Sequence, residues 1–315
     1  MAIYTLKRVA AVIPVLIFVT LTVFLAVHFS PGNPVIMILG SDATPEAIAK
    51  LSQEMGLDRP FLVQYVHWVG ELIQGNFGNS YITKVSVYEV LLDKFTNTII
   101  LASGGLILTC VFGILIGVIA GIKRNSWIDR LIMLITMIGS NLPSFWLGII
   151  LVSIFSIQLG WLPSSGMYNM RGEETFPVLL KHLILPSIAI AASSVAIVAR
   201  LVRASVIEIM NADYMQTLRS HGLSKKSIYG KHLLRSILSP VINITGLEVG
   251  YLLGGVLFVE TVFSWPGIGT LLYNAIMGHD IPFIQAGVVL VAVMYVLVNL
   301  ITDMLVTYLN PRLRQ

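Results

Sequence analysis

Six stretches of this chain run almost without polar interruption, at roughly residues 9–27, 99–122, 131–157, 183–199, 236–259 and 281–303. A helix rises about 1.5 Å per residue, so about 20 apolar residues cross the hydrocarbon core of a bilayer. The pattern therefore predicts six transmembrane helices. The fourth run is the shortest, but Lys181 and Arg200 at its ends have stems long enough to snorkel to the interface. The fifth and sixth each carry one acid, Glu248 and Asp303. Between the first two runs the pattern changes to a helical alternation of apolar and polar positions. The stretch "TPEAIAKLSQEMGLDRPFLVQYVHWVGELIQGNFG" predicts two amphipathic helices split at Gly56–Pro60. Thr44 is placed as an N-cap with Pro45 at the first helical position, and Gly75 and Gly78 end the second helix.

The expected organisation is an all-α integral membrane protein in three parts. Residues 1–28 hold the N-terminus and the first span, and 29–98 form a helical segment outside the membrane. Residues 99–315 form a core of five further spans. The outer segment opens with "SPGNP", whose prolines and glycine end the first helix. It is too polar to span and too small to be a large receptor, so it reads as a lid or docking platform. The first run follows Lys7 and Arg8 as a signal peptide would. However, it exceeds the roughly 7–15 residues of a signal core and lacks a small-x-small cleavage pattern after it, so an uncleaved span is expected.

Composition agrees with the pattern. Hydrophobic residues make up 56% of the 315 and charged residues only 11%, and the mean hydropathy is +0.85. With an even number of spans both termini share one side. That side carries fourteen of the twenty basic residues: Lys7, Arg8, Lys123, Arg124, Arg130, the seven from Arg200 to Arg235, Arg312 and Arg314. The positive-inside rule makes it cytoplasmic. This bias also accounts for the sequence pI near 9.1, so no nucleic-acid partner is needed.

Candidate chemistry within the chain is sparse. Cys110 lies inside the second span and is the single cysteine, and the six histidines are scattered without metal-ligand spacing. No H-E-x-x-H, G-x-S-x-G or G-x-x-x-x-G-K-[ST] motif occurs. No catalytic, cofactor-binding or metal site is expected, and the chain has no Walker loop with which to bind ATP itself.

Two spans carry glycine at every fourth position: Gly113, Gly117 and Gly121 in the second, Gly246, Gly250 and Gly254 in the fifth. Small residues at this spacing let helix backbones approach closely, so both sets are expected at packed seams. Glu248 is then about 200° from Gly246 and Gly250 around the helix and faces away from the seam. Two readings remain open for it: a carboxylate facing an aqueous path or partner subunit, or a neutral or hydrogen-bonded packing acid.

The densest polar stretch lies between the fourth and fifth runs. In "DYMQTLRSHGLSKKSIYGKHLLRSILSP" (213–240), Arg219, Lys225, Lys226, Lys231 and Arg235 alternate with Tyr214, Leu218, Leu223, Ile228 and Leu233. Residues 204–220 read as helix. Gly222 suits the residue past a helix end, Ser224 can cap the next helix, and Pro240 marks entry to the fifth span. Such a capped helix–bend–helix suits an element gripped by another protein.

This stretch resembles the coupling-helix motif, the EAA loop, of ABC importer permeases. More narrowly it resembles the dipeptide/oligopeptide/nickel branch, whose pattern is matched by Tyr214, Thr217, Arg219, Gly222, Leu223, His232, Leu234, Arg235 and Pro240. "ETVFSWPGIGTLLYNAI" (260–276), "NLITDMLVTYLNPRLR" (299–314), "LKRV" and "GLDRPFLVQYVHWV" are similar to further hallmarks of that branch. The E-A-A triplet itself reads Gln216, Thr217, Leu218.

The resemblance implies a type I importer permease fold in a bacterial cytoplasmic membrane, surrounded by lipid. The implied partners are a second homologous permease subunit, two ATP-binding subunits that hold ATP and Mg, and an extracytoplasmic substrate-binding protein. It implies coupling to the ATPase through Tyr214, Thr217, Arg219, Gly222, Leu223 and Ser224; Glu248, which the branch motifs do not include, is placed beside the translocation path by its position on the fifth span alone. It also implies an outer gate or docking loop at Trp265, Pro266, Gly267 and Gly269. The implied cargo is a di- or oligopeptide; nickel, a metallophore or glutathione are handled by the same machinery. A proton-coupled secondary transporter using Glu248 and Asp303 is the alternative of another class; the absence of visible inverted-repeat pairs with broken helices and the presence of a partner-binding loop count against it.

Overall fold

The computed structural model of the chain describes residues 2–29, 34–40, 43–169, 172 and 174–309. Parts of the quoted "SPGNP" and of the C-terminal hallmark, together with Arg312 and Arg314, lie outside the described residues. Among those described, every regular segment is helical apart from a single bridge between Asn79 and Ser86.

The chain begins with α1 (Ala2–His28), α2 (Pro34–Leu39), α3 (Pro45–Glu54) and α4 (Phe61–Ile73). The punctuation read in the sequence sets these bounds. The Thr44 hydroxyl accepts from Ala47 N–H at 3.3 Å to start α3, and Gly56 takes φ +66° to turn the chain toward α4. Gly75 and Gly78 reverse it again, with φ +79° and +72°.

A long helix follows as α5 (Val87–Leu108), a π-helical turn at Thr109–Gly113 and α6 (Ile114–Ile122). Next come α7 (Trp127–Gly139) and α8 (Ser144–Leu151), the latter running on into a π-helical turn at Val152–Gln158. Then come α9 (Phe176–Asn211), α10 (Asp213–Ser220) and α11 (Lys225–Ser227), which continues through a π-helical turn at Ile228–Leu233 into α12 (Leu234–Val262). The chain closes with α13 (Ile268–Met277) and α14 (Ile281–Leu309).

Four of these helices are long and apolar enough to cross a membrane: Ala10–His28, Val87–Ile122, Phe176–Asn211 and Ile281–Met304. Two bent pairs bring the count to six if each pair is one span. The pairs are Trp127–Gly139 with Ser144–Gln158, bent by 102°, and Pro240–Leu252 with Gly254–Val262, bent by 47°. The third run is therefore not the straight 131–157 helix expected from its hydropathy. "SNLP" (140–143) interrupts it, because Pro143 has no N–H to give and disfavours helix at the residue before it.

The chain divides into two compact units. One comprises Thr98–Pro266 with the stretch from Val298 onward. Its central helix is α9, 61% of whose most apolar window is buried. One core cluster of this unit gathers Leu101, Leu151, Leu185, Leu252, Phe263 and Trp265, and a second gathers Val198, Val202, Val206, Met215, Ile228 and Leu233. The other unit joins Ala2–Asn97 to Gly267–Leu297. Its core is Val87, Leu91, Ala275, Phe283 and Ala286. Hydropathy alone divides the chain at the first outer segment; only folding recruits α13 and the start of α14 to the N-terminal part.

Candidate functional site

The bent element 213–235 is a capped polar structure between α9 and α12. The long helix α9 stops at Asn211 because Ala212 turns to extended backbone (ψ 147°), and α10 starts at once with Asp213 in its first turn. The sequence reading of one helix across 204–220 misses this break. Gly222 then takes φ +75°, with nothing within 4 Å of the position a Cβ would occupy. Its role is thus conformational, since only a residue without Cβ enters this region at little cost. The Ser224 hydroxyl accepts from Ser227 N–H at 3.3 Å and caps α11.

The two faces of this element differ sharply. Met215, Ile228 and Leu233 are buried in the core cluster built on α9 and α12, with Leu218 and Leu223 packed against it. Apart from the exposed Tyr214, the apolar residues that read as a gripped surface therefore pack on their own chain, Leu223 being half-buried. The outward face carries Tyr214, Gln216, Thr217, Arg219, Ser220, His221, Gly222, Lys225 and Lys226, all exposed. Three contacts fix its shape. Tyr214 OH donates to Ser236 Oγ at 3.0 Å, Arg219 Nη2 donates to Met210 O at 3.2 Å, and Thr217 Oγ1 donates to Asp213 O at 3.1 Å.

The glycines of the second run lie against α9. A Cβ on Gly113 would sit 2.8 Å from Val198 Cγ1; one on Gly117 would sit 2.7 Å from Ala199 O, and one on Gly121 2.6 Å from Val206 Cβ. The fifth-span series divides. Gly246 abuts Thr302, since a Cβ there would be 2.2 Å from Thr302 Cγ2, and Gly250 is buried. Gly254 is exposed with nothing within 4 Å, so it packs no seam within the chain. A fourfold spacing marks a face but cannot say how far along it a neighbour reaches.

Glu248 does face away from Gly246, but toward its own chain. It is 5% exposed and lies beside Ser194 of α9, whose hydroxyl reaches its carboxyl. Glu248 Oε2 has no hydrogen-bond partner, and neither do the buried hydroxyls of Thr109 and Ser187.

At the other end of α12, Glu260 is fully buried and accepts from Thr98 Oγ1 at 2.6 Å. Trp265 N–H donates to Glu260 O at 2.8 Å, and the indole is fully buried in the core. Gly267 and Gly269 are also buried, while Pro266 is partly so. The Trp265 ring thus packs beneath the turn, and the residue exposed there is Ser264, at φ +47°.

Sequence reasoning missed the polar fastenings that join residues far apart in the chain: Asp129 pairs with Arg203, Thr98 with Glu260, and Ser80 with Asp280. A shorter link has His182 Nδ1 3.1 Å from Gly166 O. Among the described residues no group of three or more His, Cys, Asp or Glu is placed to hold a metal ion.

These features define a polytopic helical membrane protein with the fold of an ABC transporter's membrane subunit. A chain of the MetNI methionine ABC transporter, in an inward-facing crystal form, superposes with TM-score 0.59 at 18% identity, covering 70% of this chain and 96% of that one. The chain belongs to the family of binding-protein-dependent transport system inner membrane components, whose model matches residues 113–315. The N-terminal model of the same systems matches residues 1–102. Curated relatives cover it almost end to end. The dipeptide transport system permease protein DppB of Alkalihalophilus pseudofirmus is 38% identical over 99% of both chains. The glutathione transport system permease protein GsiC of Salmonella typhimurium is 39% identical over 99% of this chain and 98% of its own.

Proposed function

We propose that this chain is one permease subunit of an ATP-driven importer of short peptides. It forms half of the translocation pathway, and ATP hydrolysis is left to two separate cytoplasmic subunits that bind ATP and Mg. A second, distinct permease of the same fold completes the pathway, and an extracytoplasmic binding protein delivers cargo. Both termini are cytoplasmic, as the distribution of Lys and Arg favours. The cargo class rests on the two relatives: a dipeptide and glutathione share the amide bond and the zwitterionic ends of a short peptide.

The observation that carries the coupling role is the two-faced element 213–235. Its apolar side is anchored between α9 and α12, and its polar side is exposed around Gly222 at φ +75°. A lever needs both a rigid seat and an exposed face. Tyr214, Thr217, Arg219 and Ser224 shape that face, Leu223 seats it, and motion of an ATPase subunit would pass directly into two spanning helices. Glu248 is assigned to the path as it exists when α9 and α12 separate, because a buried carboxyl with one unpartnered oxygen is the group most readily drawn to a passing cation. The turn 265–269 is assigned to the outer gate through its packing.

The test is reconstitution of the chain with the second permease, the ATPase subunits and the binding protein in vesicles. Uptake of a labelled dipeptide that depends on ATP and on the binding protein supports the reading. Uptake that persists without ATP but follows a proton gradient overturns it in favour of a secondary transporter.

A further inference from the structure

A cavity of about 1050 Å³ opens within the unit formed by Ala2–Asn97 and Gly267–Leu297. That is at the upper end of small-molecule sites, which span roughly 300–1,000 Å³. Its wall is aromatic and apolar, with Phe24 and Val27 from the end of α1 and Trp68 and Leu72 from α4. Phe24 packs on Trp68 with ring centroids 5.5 Å apart, so this wall is built before any ligand arrives.

Charge of both signs lines the same space. Arg59 lies on the α3–α4 turn, folded over Gly56, where a Cβ would stand 3.4 Å from its Nε. Glu71 lies on α4, and its Oε2 accepts from Asn76 Nδ2 at 2.5 Å, which fixes the carboxylate at the cavity.

The floor adds a neutral polar group. Gln285 of α14 lines the cavity, and although the residue is 9% exposed its amide stays open to the cavity. A primary amide there offers a ligand both a donor and an acceptor.

We propose that this cavity, at the end of the first span and the start of the last, is a binding site for a short peptide on the permease itself. Gln285 pairs with a peptide amide, Arg59 with the carboxyl terminus and Glu71 with the amino terminus, while the Phe24–Trp68 wall takes an apolar side chain. A lipid tail would leave Gln285, Arg59 and Glu71 unanswered; a simple ion would leave the aromatic wall empty. The site rests on the peptide-cargo reading above and adds a holding place between delivery and translocation.

The test uses the full importer in nanodiscs without the binding protein. The probe is a tripeptide carrying a photoreactive benzophenone side chain, with adducts mapped by mass spectrometry. Adducts are expected on α4 and the start of α14, and excess unlabelled tripeptide should suppress them. Gln285→Leu should cut labelling about tenfold. Arg59→Ala, at an exposed position that does not threaten folding, should cut it about tenfold for the free-acid probe and leave a C-terminally amidated probe unaffected. Labelling elsewhere, or labelling indifferent to both variants, overturns the proposal, as does labelling of the cavity by a photoreactive lipid but not by the peptide. Cavity labelling in an importer that takes up no peptide would instead sink the cargo reading and leave the binding site standing.

Discussion

Arg203 Nε and Nη2 donate to the two carboxylate oxygens of Asp129 at 2.6 and 2.8 Å, joining the first turn of α7 to α9 across 74 residues of sequence. Asp129 is 3% exposed and also accepts from Asn125 N–H at 2.9 Å, so the carboxylate organises the 123–126 turn as well as the pair. Because α9 leads directly into α10, the pair ties the seat of the bent element to the start of the broken α7–α8 span.

Removing one member of a buried pair strands the other, at about 3–5 kcal/mol. The Arg203 side chain remains 25% exposed, so the low end applies. Asp129→Ala should cost about 3 kcal/mol, read as a lower melting temperature of the purified chain in detergent. Arg203→Lys should recover only part of the stability, because an ammonium cannot bridge both oxygens. An unchanged melting temperature for Asp129→Ala would show that the pair contributes nothing.

Gly222→Val places a β-branched side chain at φ +75°, where the surroundings are open but the backbone conformation is forbidden to it. Folding and assembly should survive, and cargo-stimulated ATPase activity should fall together with transport. Gly222→Asn, which tolerates the left-handed region, should retain most of both. Equal activity for the valine and asparagine variants would remove Gly222 from the coupling argument.

The two glycine series make opposite predictions at their members. Gly117→Val drives its side chain into Ala199 O and Val202, and should cost about 1–3 kcal/mol by overpacking. Gly254→Ala meets open space and should leave thermal stability within experimental error of wild type. Melting curves of both variants compare the two helices directly.

Trp265→Ala empties a fully buried indole from the core cluster. Its expected cost is about 3–5 kcal/mol, enough to reduce the amount of folded chain in the membrane before any change in gating is seen. Loss of transport at normal protein level would mean that the turn works as a gate independently of its packing.

Tyr81 lies in the 79–86 turn that Asp280 holds, through the Ser80 hydroxyl and at 3.1 Å through Tyr81 N–H. Burial, and secondarily the Asp280 carboxylate, push the Tyr81 phenol above its usual value. A phenol that keeps its proton longer when folded contributes stability that is intact below about pH 10 and declines as pH rises through the unfolded value. Hydrogen exchange across 79–86 should therefore accelerate above about pH 10, and Tyr81→Phe should flatten that rise. The same steep rise in the phenylalanine variant would assign it to another group.

Hydropathy by itself determined the class of this protein, because burying some twenty consecutive apolar residues leaves few alternatives to a membrane helix. Local punctuation was equally legible. Thr44, Gly56, Gly75, Gly78, Gly222 and Ser224 act through their own backbone or the next turn, so their residue types suffice to place them. Tertiary structure decided what depends on a partner distant in sequence. It turned Leu223, Ile228 and Leu233 inward onto α9 and α12, and it left Gly254 open while closing Gly246 on Thr302. It bent the third span by 102° at a proline whose effect on direction hydropathy does not encode. It paired Asp129 with Arg203 and Thr98 with Glu260, and assembled the Gln285 cavity from helices at opposite ends of the chain. Composition fixes what a residue prefers locally; which groups meet is set by packing among all the helices at once.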